Sequence, residues 1–160
     1  MRIAIVSDTH SRHRTVEKVM ALLAEENVSA LLHCGDIEDP ETVALFKPIP
    51  THYVLGNCDI DTPELRLAIK EAGATLHEPF GHLELDGRTM AWTHGDNLRM
   101  LLELEQSDFD FVFYGHTHHA QQHRTRSALI VNPGALHRAR VKTFVVLDLK
   151  TGRMESVVVE

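Results

Sequence analysis

The stretch FVFYGHTHHA, residues 111–120, sets a run of four apolar residues directly against a glycine and three histidines, His116, His118 and His119. An apolar run of that length, rich in aromatic and β-branched residues and ended by glycine, reads as a strand covered on both faces. The same grammar recurs five more times: IAIV before SDTH, ALLHC before GD, HYVL before GNCD, TMAW before THGD, and LIV before NPGA. Each buried strand therefore hands over to polar residues at its carboxyl end.

Helical patterns lie between the strands. Val16, Val19, Met20 and Leu23 share one helix face, as do Leu65, Ala68, Ile69 and Ala72. The second helix is expected to start with Thr62 as N-cap and Pro63 at its first position, and to end before Gly73. Asp39-Pro40-Glu41 marks another start, and Leu98, Leu101 and Leu102 place a helix after Asp96. TFVVLDL, the turn KTGR and MESVVV read as an antiparallel hairpin. Strands alternating with helices and closing on a hairpin make a mixed α/β (α+β) fold. At 160 residues one domain spanning 1–160 is expected.

With 43% hydrophobic and 24% charged residues, composition is that of a globular protein, without a repeat or low-complexity tract. No apolar segment has the length of a membrane span or signal core, so the expectation is a cytoplasmic protein with no membrane partner. Cys34 and Cys58 are accordingly read as thiols. The net charge of −7 argues against a nucleic-acid partner, because backbone affinity comes from clustered Lys and Arg. The charge is uneven, however. Residues 1–110 carry nine Lys/Arg against twenty Asp/Glu, and residues 111–160 seven against three. Arg124, Arg126, Arg138, Arg140 and Lys142 stand in a stretch without acids and either meet an anionic substrate or form solvated strand edges.

In open α/β sheets ligands gather at the carboxyl ends of strands. Here those ends carry Asp8, His10, Asp36, Asn57, His94, His116 and His118. Carboxylate, amide oxygen and imidazole, with no thiolate needed, suit Mn²⁺, Fe²⁺, Ni²⁺ or Zn²⁺. Seven donors exceed the needs of one tetrahedral ion and match two ions sharing a carboxylate. Such ions, about 3.5–4 Å apart, clamp a phosphate ester and generate a bridging hydroxide at neutral pH. In extended backbone, the patterns D-x-H and H-x-H each project to one side, so residues 8 and 10 should reach one ion and residues 116 and 118 the pair, with His119 pointing away.

Taken together, D8-x-H10, G35-D36, G56-N57-C58-D59, H94-G95 and G115-H116-T117-H118 resemble the five signature motifs of the calcineurin-like metallophosphoesterases. NPGA at 132–135 resembles a turn of their small bacterial and archaeal branch. The resemblance implies a four-layer αββα sandwich of two mixed sheets and hydrolysis of phosphomonoesters or phosphodiesters at a bimetal site, with Mn²⁺ expected first. It also implies the ligand set: Asp8, His10 and His118 for one ion, Asn57, His94 and His116 for the other, and Asp36 between them. Asn57 would help to stabilise charge on the phosphoryl group. Cys58 stands where larger relatives carry a histidine, and GDIEDPE has Pro40 where they have arginine. A thiol is a poorer acid than an imidazolium, so Cys58 is either a weak catalytic partner or a bystander, and activated diesters are the expected substrates. The alternative is a non-catalytic metal-binding scaffold of the same fold, as a retromer subunit exemplifies. Smaller expectations concern Asn132 and Gly134 as the floor of the histidine loop, His33 as a core or outer partner, and Arg12, His137, Arg138 and Arg140 as contacts for an anion. Self-association into a homo-oligomer is left open.

Overall fold

The computed structural model describes residues 1–160. In sequence order the strands are β1 (Arg2–Val6), β2 (Ala30–His33), β3 (Thr51–Tyr53), β4 (Thr75–Leu76), β5 (Gly81–Leu85), β6 (Arg88–Trp92), β7 (Phe111–Phe113), β8 (Gln121–Arg124), β9 (Leu129–Asn132), β10 (Thr143–Asp148) and β11 (Met154–Val158). The helices are α1 (His13–Glu26), α2 (Pro40–Phe46), α3 (Thr62–Glu71) and α4 (Leu98–Glu105).

They build two mixed sheets, ordered β11-β10-β1-β2-β3-β4 and β5-β6-β7-β9-β8. β1, β2 and β3 run parallel in the first, and β6, β7 and β9 run parallel in the second. These six are the six apolar runs of the sequence, three in each sheet. The expected hairpin is present, with Phe144 opposite Val157 and Leu147 opposite Met154.

Alternation along each strand explains why apolar cores form on both faces of each sheet. Ile3 and Ile5 of β1 and Leu32 of β2 face Met90, Trp92, Phe111 and Phe113 of the other sheet. Ala4, Val6 and Leu31 turn the opposite way and meet Val16, Val19 and Leu23 of α1 and Phe46 of α2. On the far side, Ala91, Val112 and Ile130 pack on Leu101 and Leu104 of α4. Helix, sheet, sheet and helix are thus stacked by period-two patterning. Each fully buried aliphatic or aromatic side chain in these layers contributes about 1.5–3 kcal/mol of transfer free energy. No helix is long and apolar enough to cross a membrane.

Local details agree with the sequence in part. The N-cap of α3 is Asp61, whose carboxylate accepts from the Glu64 amide, and Thr62 is the first helical residue. Asp and Thr are both good caps, and the ionised carboxylate has the stronger claim on a helix N-terminus. Asp39 does cap α2, accepting from the Thr42 amide at 2.8 Å. The short β4, the edge strand β5 and the fully exposed β8 were not among the expected strands, because none has a continuous apolar run. Cys34 and Cys58 are both free thiols.

Candidate metal centre

Because β1, β2, β3, β6, β7 and β9 point their carboxyl ends to one rim, the loops that follow them converge. The loop after β1 carries Asp8 and His10, and that after β2 carries Asp36. Asn57, His94, and the pair His116 and His118 follow β3, β6 and β7. Asp8, His10, Asp36 and His118 place one donor atom each within 4.8 Å of one another. His118 Nε2 lies 3.2 Å from Asp8 Oδ1. The Asp36 carboxylate stands in the middle: its Oδ2 is 3.4 Å from His10 Nε2 on one side and 3.4 Å from His94 Nε2 on the other. Beyond it, His94 Nε2 is 2.9 Å from Asn57 Oδ1, and the His116 ring lies 5.1 Å from that of His94.

The route to this convergence differs from the alternation read in the sequence. Asp8, His10, Asp36, His116 and His118 all have positive φ, between 45° and 65°. The segments are coiled, not extended, so H-x-H and D-x-H spacing converges through left-handed turns. Non-glycine residues pay on the order of 1 kcal/mol each for that conformation. His119 is exposed and turns its Nδ1 to the Thr117 carbonyl, away from the cluster.

The donor chemistry fits a cation. His94 Nδ1 lies 2.8 Å from the Cys34 carbonyl oxygen, which only accepts, so the ring proton is on Nδ1. Nε2 is then a lone pair, and it faces two oxygen acceptors. His10 is arranged alike, with Nδ1 2.7 Å from Glu38 Oε1 and Nε2 turned to Asp36 and, at 3.4 Å, to His118 Nε2. Lone pairs converging on lone pairs call for positive charge between them, and partners on the second ring nitrogen fix a histidine for metal binding. Asp8 Oδ1 is fully buried without a hydrogen bond, and burial pushes its carboxyl above the usual range. Such an atom needs a cation or a proton.

Several supports escaped sequence reasoning. Asp59 is buried, and its carboxylate accepts from the amides of Asp36, Ile37, Glu38 and Gly56 at 2.7–3.0 Å, clamping the β2 and β3 loops together. Its position beside a turn hid that role, since all four donors are backbone. Glu38, in plain view within GDIED, orients His10. Gly56 lies so close to Asp36 that a Cβ would fall 2.2 Å from Oδ1, and a Cβ on Gly115 would fall 1.8 Å from Ser7 Oγ.

His33 is a fully buried histidine, packed on Phe46 and Tyr53 and hydrogen-bonded to the loops that carry the cluster. The Gly35 amide donates to Nδ1, so Nε2 carries the proton and donates to Thr9 Oγ1, which in turn donates to the Asp36 carbonyl. Burial, then the charges of His94 and His10, lowers His33 to about 3. Asn132 holds the histidine loop as expected, donating to the Gly115 carbonyl and Thr117 Oγ1 and accepting from the Gly134 amide. Cys58 sits at the rim with Sγ 3.4 Å from Asn57 Nδ2. Burial, then the charge of Asp36, pushes its thiol up to about 11.

Residues 1–152 match the calcineurin-like phosphoesterase superfamily domain. A phosphodiesterase of Methanocaldococcus jannaschii is 26% identical over 100% of both chains. A probable metallophosphoesterase of the same organism is 30% identical over 94% of this chain and 77% of its own. Among solved structures, an archaeal phosphodiesterase superposes with a TM-score of 0.91 at 27% identity, covering 99% of each chain. The zinc complex of Vps29 from Entamoeba histolytica, at 17% identity and a TM-score of 0.71 over 100% of both chains, shares the fold. Two mixed sheets between helices, with an Asp/His cluster of metal-binding make-up at the strand ends, accompany that match, and the chain belongs to the calcineurin-like phosphoesterase superfamily.

Proposed function

We propose that the chain is a metal-dependent phosphoesterase, acting on phosphodiesters or phosphomonoesters, with two divalent ions held side by side. The observation that carries this reading is Asp36 Oδ2, 3.4 Å from the imidazole nitrogens of both His10 and His94. One carboxylate serving two sets of donors is what a bimetal site requires. Asp8, His10 and His118 would complete one set, and Asn57, His94 and His116 the other. Nitrogen and oxygen donors without a thiolate favour Mn²⁺, with Fe²⁺, Ni²⁺ and Zn²⁺ as competitors.

Two such ions supply Lewis acidity toward the phosphoryl oxygens and an activated water. The remaining work falls to the protein. Asp36 is fixed before substrate arrives, because its Oδ1 accepts from the Cys58 amide at 2.9 Å and its own amide donates to Asp59. Glu38 and the Cys34 carbonyl hold the protons on Nδ1 of His10 and His94, so both rings present Nε2 to the centre. Asn57 turns its amide oxygen to His94 Nε2 at 2.9 Å, where it would serve as a donor to an ion rather than as a contact for the phosphoryl oxygens. The Cys58 thiol, pushed up to about 11, keeps its proton at neutral pH and is a weak acid toward a departing alkoxide. Esters with good leaving groups are therefore favoured.

Purified protein reconstituted with Mn²⁺ should bind close to two ions per molecule and hydrolyse bis-p-nitrophenyl phosphate, and a chelator should abolish the activity. Metal binding without hydrolysis of any phosphate ester would leave the scaffold reading in its place. Failure to bind divalent metal would overturn both.

A further inference from the structure

Arg12 and His137 have no role in the centre just described, yet they meet beside it. Arg12 Nε donates to His137 Nδ1 at 3.1 Å, joining the loop after β1 to the segment after NPGA. The His137 ring stands edge-on to His10, with centroids 5.3 Å apart. His137 therefore touches both His10 and Arg12. The acids of this neighbourhood are already engaged: Glu38 with His10, and Asp39 and Glu41 with His13. No carboxylate lies within 4 Å of Arg12, so its guanidinium has only the imidazole as partner. Arg138 adds a second exposed cation next to the pair, and its charge acts on His137.

An exposed guanidinium, steadied by a neighbouring ring and left without a counter-charge, is suited to a bidentate contact with phosphate or carboxylate. Arg12 is bonded to His137, and His137 packs on His10, so that contact is assigned to a group beside the phosphoryl group under attack. We infer that Arg12, held by His137, forms a rim subsite for a second anionic group of the substrate. The preferred substrates are then phosphoesters bearing a further phosphate near the scissile one. This rests on the phosphoesterase reading for what is turned over, but not for what is bound.

The test uses two matched pairs of probes. Calorimetric titration of Mn²⁺-loaded protein with non-hydrolysable methylenephosphonate analogues of thymidine 3′,5′-bisphosphate and thymidine 5′-monophosphate, a C–P bond replacing each scissile ester bond, measures the worth of the second anionic group without turnover. The bisphosphate should bind about fivefold more tightly, the size expected of one exposed charge-assisted contact, and the advantage should shrink as salt rises. In Arg12→Ala the ratio should fall to near one, and Arg12→Lys should restore part of it. The 5′-p-nitrophenyl esters of thymidine 5′-phosphate with and without a 3′-phosphate should show the same ratio in KM. Equal binding of the two nucleotides by wild type, or a ratio that survives in Arg12→Ala, would overturn the subsite. Absence of hydrolysis of both esters would overturn the phosphoesterase reading and leave the calorimetric result to decide the subsite.

Discussion

Histidines gather in two places in this fold, and the two clusters differ in everything but residue type. At the strand ends His10 and His94 each give one ring nitrogen to a fixed acceptor and point the other at Asp36. Across the sheet interface, His52 Nδ1 and His77 Nε2 lie 3.0 Å apart and pack their rings on Trp92, with no carboxylate in contact. Burial lowers His52, and burial together with the charges of His52 and His82 lowers His77. One cluster collects lone pairs around anions and invites a cation. The other shares a proton inside an apolar seam and resists charge. The partner on the second nitrogen, and the carboxylate in front of the first, decide which of these a histidine pair becomes.

The contrast can be broken most severely at Asp36. Asp36→Ala should lower kcat/KM by roughly a thousandfold or more and reduce the metal bound per molecule, because both donor sets lose their common member. His77→Ala, by comparison, should leave metal content unaltered, as elemental analysis of the two variants would show. A milder probe is Glu38→Gln, which keeps a hydrogen-bond acceptor for His10 Nδ1 but removes the charge. Metal affinity measured by competition with a chelating dye should fall about tenfold, at the low end for partners that orient a ligand, since Glu38 is partly exposed.

The smallest effect belongs to the interface pair. Both histidines are depressed in the folded protein relative to 6.5, so each contributes stability that is complete above that pH. That contribution is lost progressively as pH falls below 6.5, because the unfolded protein then binds more protons than the folded one. Urea denaturation of metal-free protein at pH 7.5, 6.5 and 5.5 should therefore show a shallower acid decline for His77→Gln than for wild type. Trp92 emission of the folded wild type should hold through the start of that decline and fall only at lower pH, where the imidazole beside it protonates. A decline of equal slope in both proteins would show that the pair does not sense pH.

The two clusters also mark what a sequence makes visible. Parallel strands buried on both faces announce themselves as continuous apolar runs, and the polar residues that follow each run are the ones now gathered at the rim. β5 and β8 lie at or near edges and expose much of their length, so their sequences carry little apolar signal. The candidate donors were legible by type and place, but the φ angles that bring them together were not, since nothing in D-x-H spacing distinguishes an extended from a coiled segment. Asp59 remained hidden for a related reason. Its partners are backbone amides from two loops, a relation that exists only after β2 and β3 are side by side. At α3 local rules fell one residue short because Asp61 and Thr62 compete for the same cap.

The division of donors between the sheets has a mechanical meaning. Asp8, His10, Asp36 and Asn57 follow strands of the six-stranded sheet, and His94, His116 and His118 follow strands of the five-stranded one. An ion that takes donors from both acts as a cross-link at one end of the sandwich, fastening halves that elsewhere adhere through side-chain packing. On the proposed function, loading and cohesion would be a single equilibrium: whatever free energy ions release on binding would resist the parting of the sheets. Stripping the ions should loosen the rim while the apolar seam around Trp92 and Phe113 keeps the halves in register, so that the emptied fold waits as a partly opened clasp.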